Sequence, residues 1–399
     1  MKTEIFKNRI GNAAEIIKNG GIVAVPTETV YGLAANGLNA DAVRKIYEVK
    51  GRPEVKPISL LISGPEDIDR YCVDVPSAAK KLAQLFFPGP LTIVLKSSDF
   101  VPLIVRANGQ TIGVRCPSND LTLQLIKESN VPLAAPSANP SGSVSPKSGV
   151  EVINYFDGII DCIIDDGNCS LGFESTIIDL SKTPYSILRE GALPVEKIEN
   201  ALIDCVKIIG ITGPTGSGKS TALKEIKSHN GLILDCDKIY HSLLESNSEM
   251  INEIKLRFPD SFDNSKINRK KLASIVFNDS ASLLELNKIT HKYVSEDVKS
   301  RIKKYALNGG TLAAIDAVEL VSSGLNKLCN KTVAVLSDSE TRLKRIMLRD
   351  GISKESAKKR ILSGRQDEYY NTNCDVCIEN NDSEEIFLEK FSREVKLYE

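Results

Sequence analysis

The sequence has almost no net charge, and it lacks long apolar runs and an apolar leader. A net charge of −1 leaves no bulk basic field for nucleic acid, so contact with RNA would need a local patch. No stretch of about 18 uninterrupted apolar residues is present, and this predicts the absence of a membrane-spanning helix. The first residues, MKTEIFKNRIG, have no apolar signal core. We therefore expect a cytoplasmic protein without a membrane partner.

The nine cysteines are scattered and lack paired metal-binding spacing, which fits a reducing cytosol. Cys374 and Cys377 form one C-x-x-C, but no second pair or histidine cluster accompanies it. We interpret both as strand residues. The length of 399 residues predicts two to three domains, and 42% hydrophobic with 26% charged residues is typical of a globular protein.

A phosphate-binding loop lies just past the midpoint, where residues 213–220 read GPTGSGKS. The apolar run 206–211 predicts a strand before it, and residues 220–228 predict a helix after it. The loop glycines let backbone N–H groups point at a polyphosphate, Lys219 would reach the outer phosphates, and Ser220 would bind Mg²⁺. An accidental Gly-rich turn is the alternative. The strand and helix favour a nucleotide-binding domain that begins near residue 206.

The rest of the second half predicts a doubly wound sheet interrupted by helices. Asp235 and Asp237 follow the strand 232–234; either could cap the next helix, and either could work at the phosphate loop. The helices 251–258, 269–277 and 281–305 suggest a lid and acceptor-binding subdomain. We expect phosphate contacts from Arg349, and a solvated helix face for Arg342 or Arg345.

The first half contains a cationic loop and several strands that end in hydroxyl residues. Lys50, Arg52 and Lys56 lie within seven residues, with a glycine and a proline between them and a second proline directly after Lys56. This loop could simply be solvated, or it could bind anions. The strand 111–115 ends at Arg115, and Ser137 with Asn139 follows an apolar strand.

The first half resembles the threonylcarbamoyl-AMP synthases over residues 5 to about 195. The matching segments, in the family's order, are PTETVYGL, KGRP with KP, FPGPLT, TIGVRCP, APSAN, ESTIID and LREGA. The resemblance implies a twisted α/β fold with a positively charged concave face. It also implies synthesis of threonylcarbamoyl-adenylate from L-threonine, bicarbonate and ATP, for a tRNA modification completed by a downstream transferase.

The resemblance also assigns residues to this reaction. Threonine would contact Thr27, Arg115, Ala135 and Ser175, and Arg115 would clamp its carboxylate. ATP would contact Lys50, Arg52, Lys56, Thr111, Ser137, Asn139, Ser145 and Arg189, with Lys50 and Arg52 counted as catalytic. Leu61 stands where some family members have a histidine.

The second half resembles dephospho-CoA kinase over residues 206–396. The matching segments include GITGPTGSGKST, LILDCDKIYHSLL, LNKITH, AAIDAVELVSSGL, LRDGISKESAKKRI and DVCIEN. The family transfers the γ-phosphate of ATP to the ribose 3′-hydroxyl of dephospho-CoA. The resemblance makes Asp237 the base and Lys219 a catalytic residue, with Mg²⁺ on Ser220 and Asp235. ATP would contact Gly213, Gly216, Ser217, Gly218, Lys219, Ser220, Thr221, Arg349 and Arg360. Gly364 replaces the usual glutamine.

The sequence therefore predicts a bifunctional α/β enzyme. Residues 1–200 would form a YrdC-type synthase domain with a mixed sheet. Residues 206–399 would form a P-loop kinase domain with a parallel sheet and a helical subdomain. Two alternatives stay open: the first half could be a double-stranded-RNA-binding module, and the second another small-molecule kinase. Retention of the cations and polar residues at the first site, together with the neutral charge, argues against the first alternative. The DxD and RDG segments favour dephospho-CoA over other acceptors.

Overall fold

The computed structural model describes residues 2–7, 9–264, 266–277 and 279–397. The chain divides into two compact units. The first runs to Cys205 and takes in Leu307–Gly309, and the second comprises Val206–Ala306 and the residues from Gly310 onward. Within the described residues, no helix is long and apolar enough to cross a membrane.

The first unit is a mixed α/β structure. Its helices are α1 (Ile10–Lys18), α2 (Ala40–Lys50), α3 (Ile68–Tyr71), α4 (Ser77–Phe86), α5 (Asp120–Ser129), α6 (Gly149–Phe156) and α7 (Val195–Ile203). Its strands are β1 (Glu4–Phe6), β2 (Val23–Val25), β3 (Gly32–Asn36), β4 (Leu60–Leu61), β5 (Cys72–Val73), β6 (Leu91–Ser97), β7 (Thr111–Arg115), β8 (Leu133–Ala134), β9 (Cys162–Ile164), β10 (Thr176–Asp179) and β11 (Ser186–Arg189).

These strands join into one mixed sheet in the order β1-β9-β2-β3-β8-β4-β7-β6-β10-β11, and β5 pairs with β6. Helix α1 forms because Ile10, Ala13, Ala14 and Ile17 fall on one face, and that face is buried in the core. The central strands β4 and β7 run parallel, so Leu61 at the end of β4 lies beside Arg115 at the end of β7.

The second unit is built around a separate parallel sheet. Its helices are α8 (Lys219–Ser228), α9 (Cys236–Ser246), α10 (Ser248–Arg257), α11 (Arg269–Phe277), α12 (Ser280–Leu307), α13 (Ser339–Asp350), α14 (Lys354–Leu362), α15 (Asp367–Asn373) and α16 (Glu384–Val395). Its strands are β12 (Lys207–Thr212), β13 (Leu232–Asp235), β14 (Phe262–Asp263), β15 (Lys266–Ile267), β16 (Leu312–Asp316), β17 (Lys331–Leu336) and β18 (Val376–Glu379).

The parallel sheet has the order β13-β16-β12-β17-β18, and β14 and β15 form a small hairpin. Its strands read as apolar runs because helices cover both faces. The phosphate loop follows β12, the central strand. Strand β16 lies between β12 and β13, so the residue that ends β16 is nearer the loop than the residue that ends β13.

The structure confirms the mixed and parallel sheets predicted from the sequence, and the predicted helices and strands agree within a few residues. The interpretation of the C-x-x-C was wrong in part. Cys377 lies in β18, but Cys374 is the C-cap of α15. Burial raises the pKa of the Cys374 thiol to about 11, so this thiol stays protonated at neutral pH.

Candidate active sites

The first unit contains a cavity of about 210 Å³ that is lined by residues of β4, β7 and β10 and of the segments next to them. Seven residues predicted from the sequence line it: Thr27, Arg52, Arg115, Ala135, Ser137, Ser175 and Arg189. These positions span most of the unit's sequence, and the sheet order brings them together. The cavity therefore combines three guanidinium groups with hydroxyl side chains.

Arg115 is the most firmly held of these cations. It is 8% exposed, and its Nη2 donates to Glu28 Oε1 at 2.7 Å and to Thr29 Oγ1 at 2.9 Å. Its Nε donates to the Gly89 carbonyl at 3.3 Å. Within the described part of the chain, only Nη1 has no protein partner. The guanidinium is thus fixed on one side and offers a donor on the other.

Lys50 lies behind the cavity wall, at the C-terminal end of α2. Its Nζ donates to the carbonyl oxygens of Ser137 and Asn139, and the side chain is almost fully buried. Burial, with a smaller contribution from Arg52, lowers the pKa of Lys50 to about 8. Arg52 donates to the Lys56 and Pro57 carbonyls, and these hydrogen bonds hold the two ends of the cationic loop together.

Glu174 is the only acidic side chain among the residues that line this cavity, within the described part of the chain. Its carboxylate pairs with Arg189 and accepts a hydrogen bond from Ser145 Oγ at 3.0 Å. Arg189 also donates to the carbonyl and hydroxyl of Ser175. Burial lowers the pKa of Arg189, and Glu174 opposes that shift. Glu174 therefore links several of the predicted ATP contacts.

Five of the eight predicted ATP contacts do not line this cavity: Lys50, Lys56, Thr111, Asn139 and Ser145. Lys56 is exposed, and the hydrogen bonds that the structure shows for it are made by its backbone N–H and carbonyl. Thr111 lies at the far end of β7, roughly 13 Å along the strand from Arg115. Asn139 and Ser145 do not line the cavity, but Asn139 N–H donates to the carbonyl of Ser137 and Ser145 Oγ donates to Glu174, and both of these acceptors line it. Asn139 Oδ1 is buried and has no hydrogen-bond partner among the described residues.

The second unit has an open groove of about 840 Å³ over the phosphate loop. The predicted residues that line it are Gly216, Gly218, Lys219, Ser220, Thr221, Asp235, Asp237 and Arg349. Gly218 has φ +96°, and a Cβ there would come within 2.1 Å of Asn380 Nδ2, so only glycine fits. Lys219 Nζ donates to the Gly213 carbonyl at 2.8 Å, and burial lowers its pKa.

Four aspartates line this groove: Asp235, Asp237, Asp316 and Asp382. The first three differ in environment. Asp235 is the N-cap of α9, because Oδ1 accepts from the Lys238 N–H at 3.0 Å, and Oδ2 lies 2.8 Å from Lys238 Nζ. Burial tends to raise the pKa of Asp235, but these bonds outweigh it and hold the pKa below its usual range. Asp237 is exposed in the first turn of α9. Asp237 is thus free of the capping role.

Asp316 ends β16, beside the strand that carries the loop. Burial raises its pKa to about 6, with Lys219 opposing and Asp235 and Asp237 adding to the shift. No role was predicted for it. The sequence contained a pattern that could have pointed to Asp316, because an apolar strand that ends in aspartate is typical of the magnesium-binding aspartate in P-loop enzymes. Within the described residues, no group of three His, Cys, Asp or Glu is arranged for a metal.

The arginines of α13 and α14 are arranged differently from the prediction. Arg342 and Arg345 do not form a solvated face: Arg342 Nε donates to the Thr215 carbonyl at 3.0 Å, and Arg345 Nη1 donates to the Ser217 carbonyl at 3.1 Å. Arg349 lines the groove, and its Nε and Nη2 donate hydrogen bonds to the two carboxylate oxygens of Asp350. Arg360 pairs with the same Asp350 and lies outside the groove. Two arginines therefore brace the loop from behind.

Comparisons with known proteins match each half separately. The Sua5/YciO/YrdC family model, described as "Telomere recombination", matches residues 15–191, and the dephospho-CoA kinase model matches residues 207–385. A threonylcarbamoyl-AMP synthase of Pyrococcus abyssi is 46% identical over 201 residues, which are 50% of this chain and 58% of that protein. One of Halorhodospira halophila is 35% identical over 39% of this chain and 82% of its own length.

The second half has a similar match. A dephospho-CoA kinase of Lactobacillus johnsonii is 36% identical over 38% of this chain and 78% of its own length. The chain spans 58% and 56% of the length of two of the synthases that it matches. The chain belongs, through its first half, to the Sua5/YciO/YrdC family of threonylcarbamoyl-AMP synthases and, through its second half, to the dephospho-CoA kinase family.

Proposed function

We propose that the chain is a bifunctional enzyme with two ATP sites. Residues 1–200 would form threonylcarbamoyl-adenylate and pyrophosphate from L-threonine, bicarbonate and ATP. Residues 206–399 would phosphorylate the 3′-hydroxyl of dephospho-CoA and release ADP. The first product would pass to a tRNA-modifying transferase, with at most a weak RNA contact. A cytosolic location remains a prediction.

The synthase proposal depends mainly on the cavity that gathers three arginines around hydroxyl side chains. Threonine's neutral amine and bicarbonate combine to a carbamate with loss of water. A carbamate oxygen then attacks the α-phosphorus, and pyrophosphate leaves. The residues mainly position the reactants and neutralise charge. Arg115 Nη1 would receive the threonine carboxylate, while Arg52 and Arg189 receive the triphosphate.

The synthase test is a product assay by mass spectrometry with ATP, threonine and bicarbonate. Arg115→Lys keeps the charge but loses the planar guanidinium, so the KM for threonine should rise more than the KM for ATP. Arg70→Lys is the matched control, because Arg70 is exposed and pairs with Asp67 outside the cavity. A changed ATP requirement with unchanged threonine dependence would reassign Arg115 to the nucleotide.

The kinase proposal depends mainly on the single groove that contains the phosphate loop, Lys219 and Asp237. Asp237 would accept the proton of the ribose 3′-hydroxyl as that oxygen attacks the γ-phosphorus. Lys219 would neutralise charge on the outer phosphates, and Arg349, at the groove's rim, would add a second cation. Phosphoryl transfer needs little covalent work from the protein, so positioning and charge supply most of the rate.

The residues at the loop also fit Mg²⁺, the cofactor predicted for this reaction. The Ser220 hydroxyl and the Asp316 carboxylate are oxygen ligands that line the same groove. Asp235 is a weaker candidate than the sequence predicted, because both its oxygens are engaged by Lys238. When bound, Mg²⁺ would neutralise the charge that develops on the phosphates. Ser220 and Asp316 would hold it.

The kinase test is formation of coenzyme A from ATP and dephospho-CoA, identified by mass. Phosphorylation of a different small molecule in preference to dephospho-CoA would favour the alternative kinase. Binding of double-stranded RNA by a first half that makes no adenylate would favour the RNA-binding alternative.

A further inference from the structure

Glu174 lies in the synthase cavity, and the proposed reaction has given it no task. Within the described part of the chain, the other charged residues that line the cavity are Arg52, Arg115 and Arg189. ATP and pyrophosphate are anions, so a carboxylate here repels the ligands that these arginines attract. Glu174 therefore opposes the binding of phosphate groups unless its side chain can move away.

The Glu174 carboxylate engages donors that are predicted to contact ATP. Its Oε2 accepts from Arg189 Nη1, and its Oε1 accepts from Ser145 Oγ at 3.0 Å. Burial lowers the pKa values of Lys50 and Arg52, and the charge of Glu174 opposes both shifts. The carboxylate thus neutralises, in part, the same cations that a triphosphate would neutralise.

The main chain of Glu174 is fixed, whereas its side chain is partly open to solvent. Its carbonyl accepts from the Ala192 N–H at 2.8 Å, and a Cβ on Gly191 would come within 2.3 Å of the same oxygen. The side chains of Glu174 and Arg189 are 38% and 39% exposed, and ion pairs at such exposure contribute little net free energy. Rotation of the Glu174 side chain can therefore release Arg189 at small cost and without movement of the backbone.

We propose that Glu174 is a stand-in for phosphate, which pairs with Arg189 in the free enzyme and is displaced when ATP binds. The carboxylate would return to Arg189 as pyrophosphate leaves, and it would thereby favour release of this product. Glu174 would thus set the affinity of the cavity for ATP and for pyrophosphate. This inference rests on the proposed synthase function, because it concerns the ligands of that reaction.

The test is calorimetric titration with sodium pyrophosphate, without metal and at constant ionic strength. The full chain carries Lys219→Ala, which removes the cation of the phosphate loop, and any binding that a further Arg52→Ala exchange abolishes belongs to the first cavity. Glu174→Gln keeps the shape of the side chain and removes its charge. We expect this variant to bind pyrophosphate about fivefold more tightly, because a competing, partly exposed ion pair is lost.

Glu151→Gln is the matched control, because Glu151 is exposed, accepts from the Lys147 N–H at 2.8 Å and does not line the cavity. Its affinity for pyrophosphate should equal that of the parent chain. Glu174→Ala gives a second test if Glu174→Gln does not fold, as judged by melting curves. Unchanged or weaker binding in a folded Glu174 variant would overturn the inference, since a purely structural pair gives no gain in affinity when it is broken.

The binding measurement separates this inference from the proposed reaction. If the chain forms no adenylate but Glu174→Gln binds pyrophosphate more tightly in the first cavity, the role of Glu174 holds and the reaction assignment fails. If adenylate forms and the affinity does not rise, the reaction assignment holds and the role of Glu174 fails. If both hold, the KM for ATP and the inhibition constant for pyrophosphate in the synthase assay should each fall about fivefold in Glu174→Gln.

Discussion

At the scale of single residues, Asp235 and Asp237 have separate tasks that residue type alone does not distinguish. Both are aspartates at the start of α9, and the sequence allowed either to cap the helix. Asp235 makes the cap, while Asp237 is exposed over the groove. An exchange at Asp237 therefore leaves the cap in place, because the capping residue is two positions earlier in the chain.

Exchanges at these two positions should affect different properties. Asp237→Asn should leave stability near normal and lower kinase turnover about 10²–10⁴-fold, the usual value of general-base assistance. Asp235→Ala should lower the free energy of unfolding by about 0.5–2 kcal/mol, because the cap is lost. Turnover at saturating substrates and urea unfolding on the same samples give both quantities. Undiminished turnover in Asp237→Asn would contradict the base assignment.

The ion pair between Arg115 and Glu28 predicts a stability effect in the first unit. Both side chains are at most 9% exposed, so Arg115→Ala leaves a buried carboxylate without its partner. We expect the free energy of unfolding to fall by about 3–5 kcal/mol. The double variant Arg115→Ala/Glu28→Gln removes the stranded charge and should recover part of that loss. Equal stability of single and double variants in urea unfolding would argue against the pair.

Lys50 predicts a pH dependence of the synthase reaction. Its pKa of about 8 lies below the usual value for lysine, so the ammonium loses its proton as the pH rises through about 8. A neutral amine attracts phosphate less, and the KM for ATP should therefore increase above that pH. Lys50→Arg stays charged and should flatten the increase. The measurement is synthase KM for ATP between pH 7 and pH 9.5, and a flat wild-type profile would contradict the prediction.

At the scale of elements, α13 and the segment after β18 hold the phosphate loop by its carbonyl oxygens. The Ser217 carbonyl accepts from Arg345 Nη1 at 3.1 Å and from Asn380 Nδ2 at 2.9 Å. Arg345 Nη2 also donates to the Asn380 carbonyl. Carbonyls that are engaged from behind leave the loop's N–H groups free to face a phosphate. The arrangement makes α13 a support for the loop.

Removal of this support should weaken ATP binding at the kinase site. Arg345→Ala removes three hydrogen bonds at the loop and the adjoining segments, and we expect roughly tenfold lower ATP affinity, about 1.4 kcal/mol. Lys344→Ala is the control, because Lys344 is exposed on the same helix and pairs with Glu340 at 3.2 Å. Equilibrium titration with β,γ-imido-ATP measures the effect, and equal affinities in the two variants would contradict it.

At the scale of the whole molecule, the two sites lie in separate units and share no residue. Helix α7 belongs to the first unit, with Ile198, Ala201 and Leu202 buried, so the border of that unit lies beyond residue 200. The domain limits of 1–200 and 206–399 remain a proposal. Because the two sites are independent, we predict that a substitution can remove either activity without the other.

Lys219→Ala should abolish formation of coenzyme A and leave adenylate synthesis unchanged, because Lys219 serves only the phosphate loop. Arg52→Ala should do the reverse, since Arg52 lines only the first cavity. Both reactions are measured on each purified variant, with melting curves as the control for folding. Loss of both activities in one folded variant would mean a shared ATP site, against the proposal.

The sequence by itself determined the local parts of this protein. The phosphate loop is set within eight residues by glycines and a helix start, and the helices follow from the spacing of apolar residues. The family matches confirmed both resemblances. Site residues such as Arg115 and Arg189 were predicted, and they line one cavity, although their roles stay predictions.

Only the tertiary structure decided which distant residues meet. Asp316 lies beside the phosphate loop because β16, and not β13, pairs with β12. Glu28 pairs with Arg115 across 87 residues of chain, and Arg345 turns toward the loop. Strand order and the direction of a charged side chain depend on long-range burial and pairing, since a buried charge must find its partner wherever the fold brings one. Local patterns contain no information on that choice.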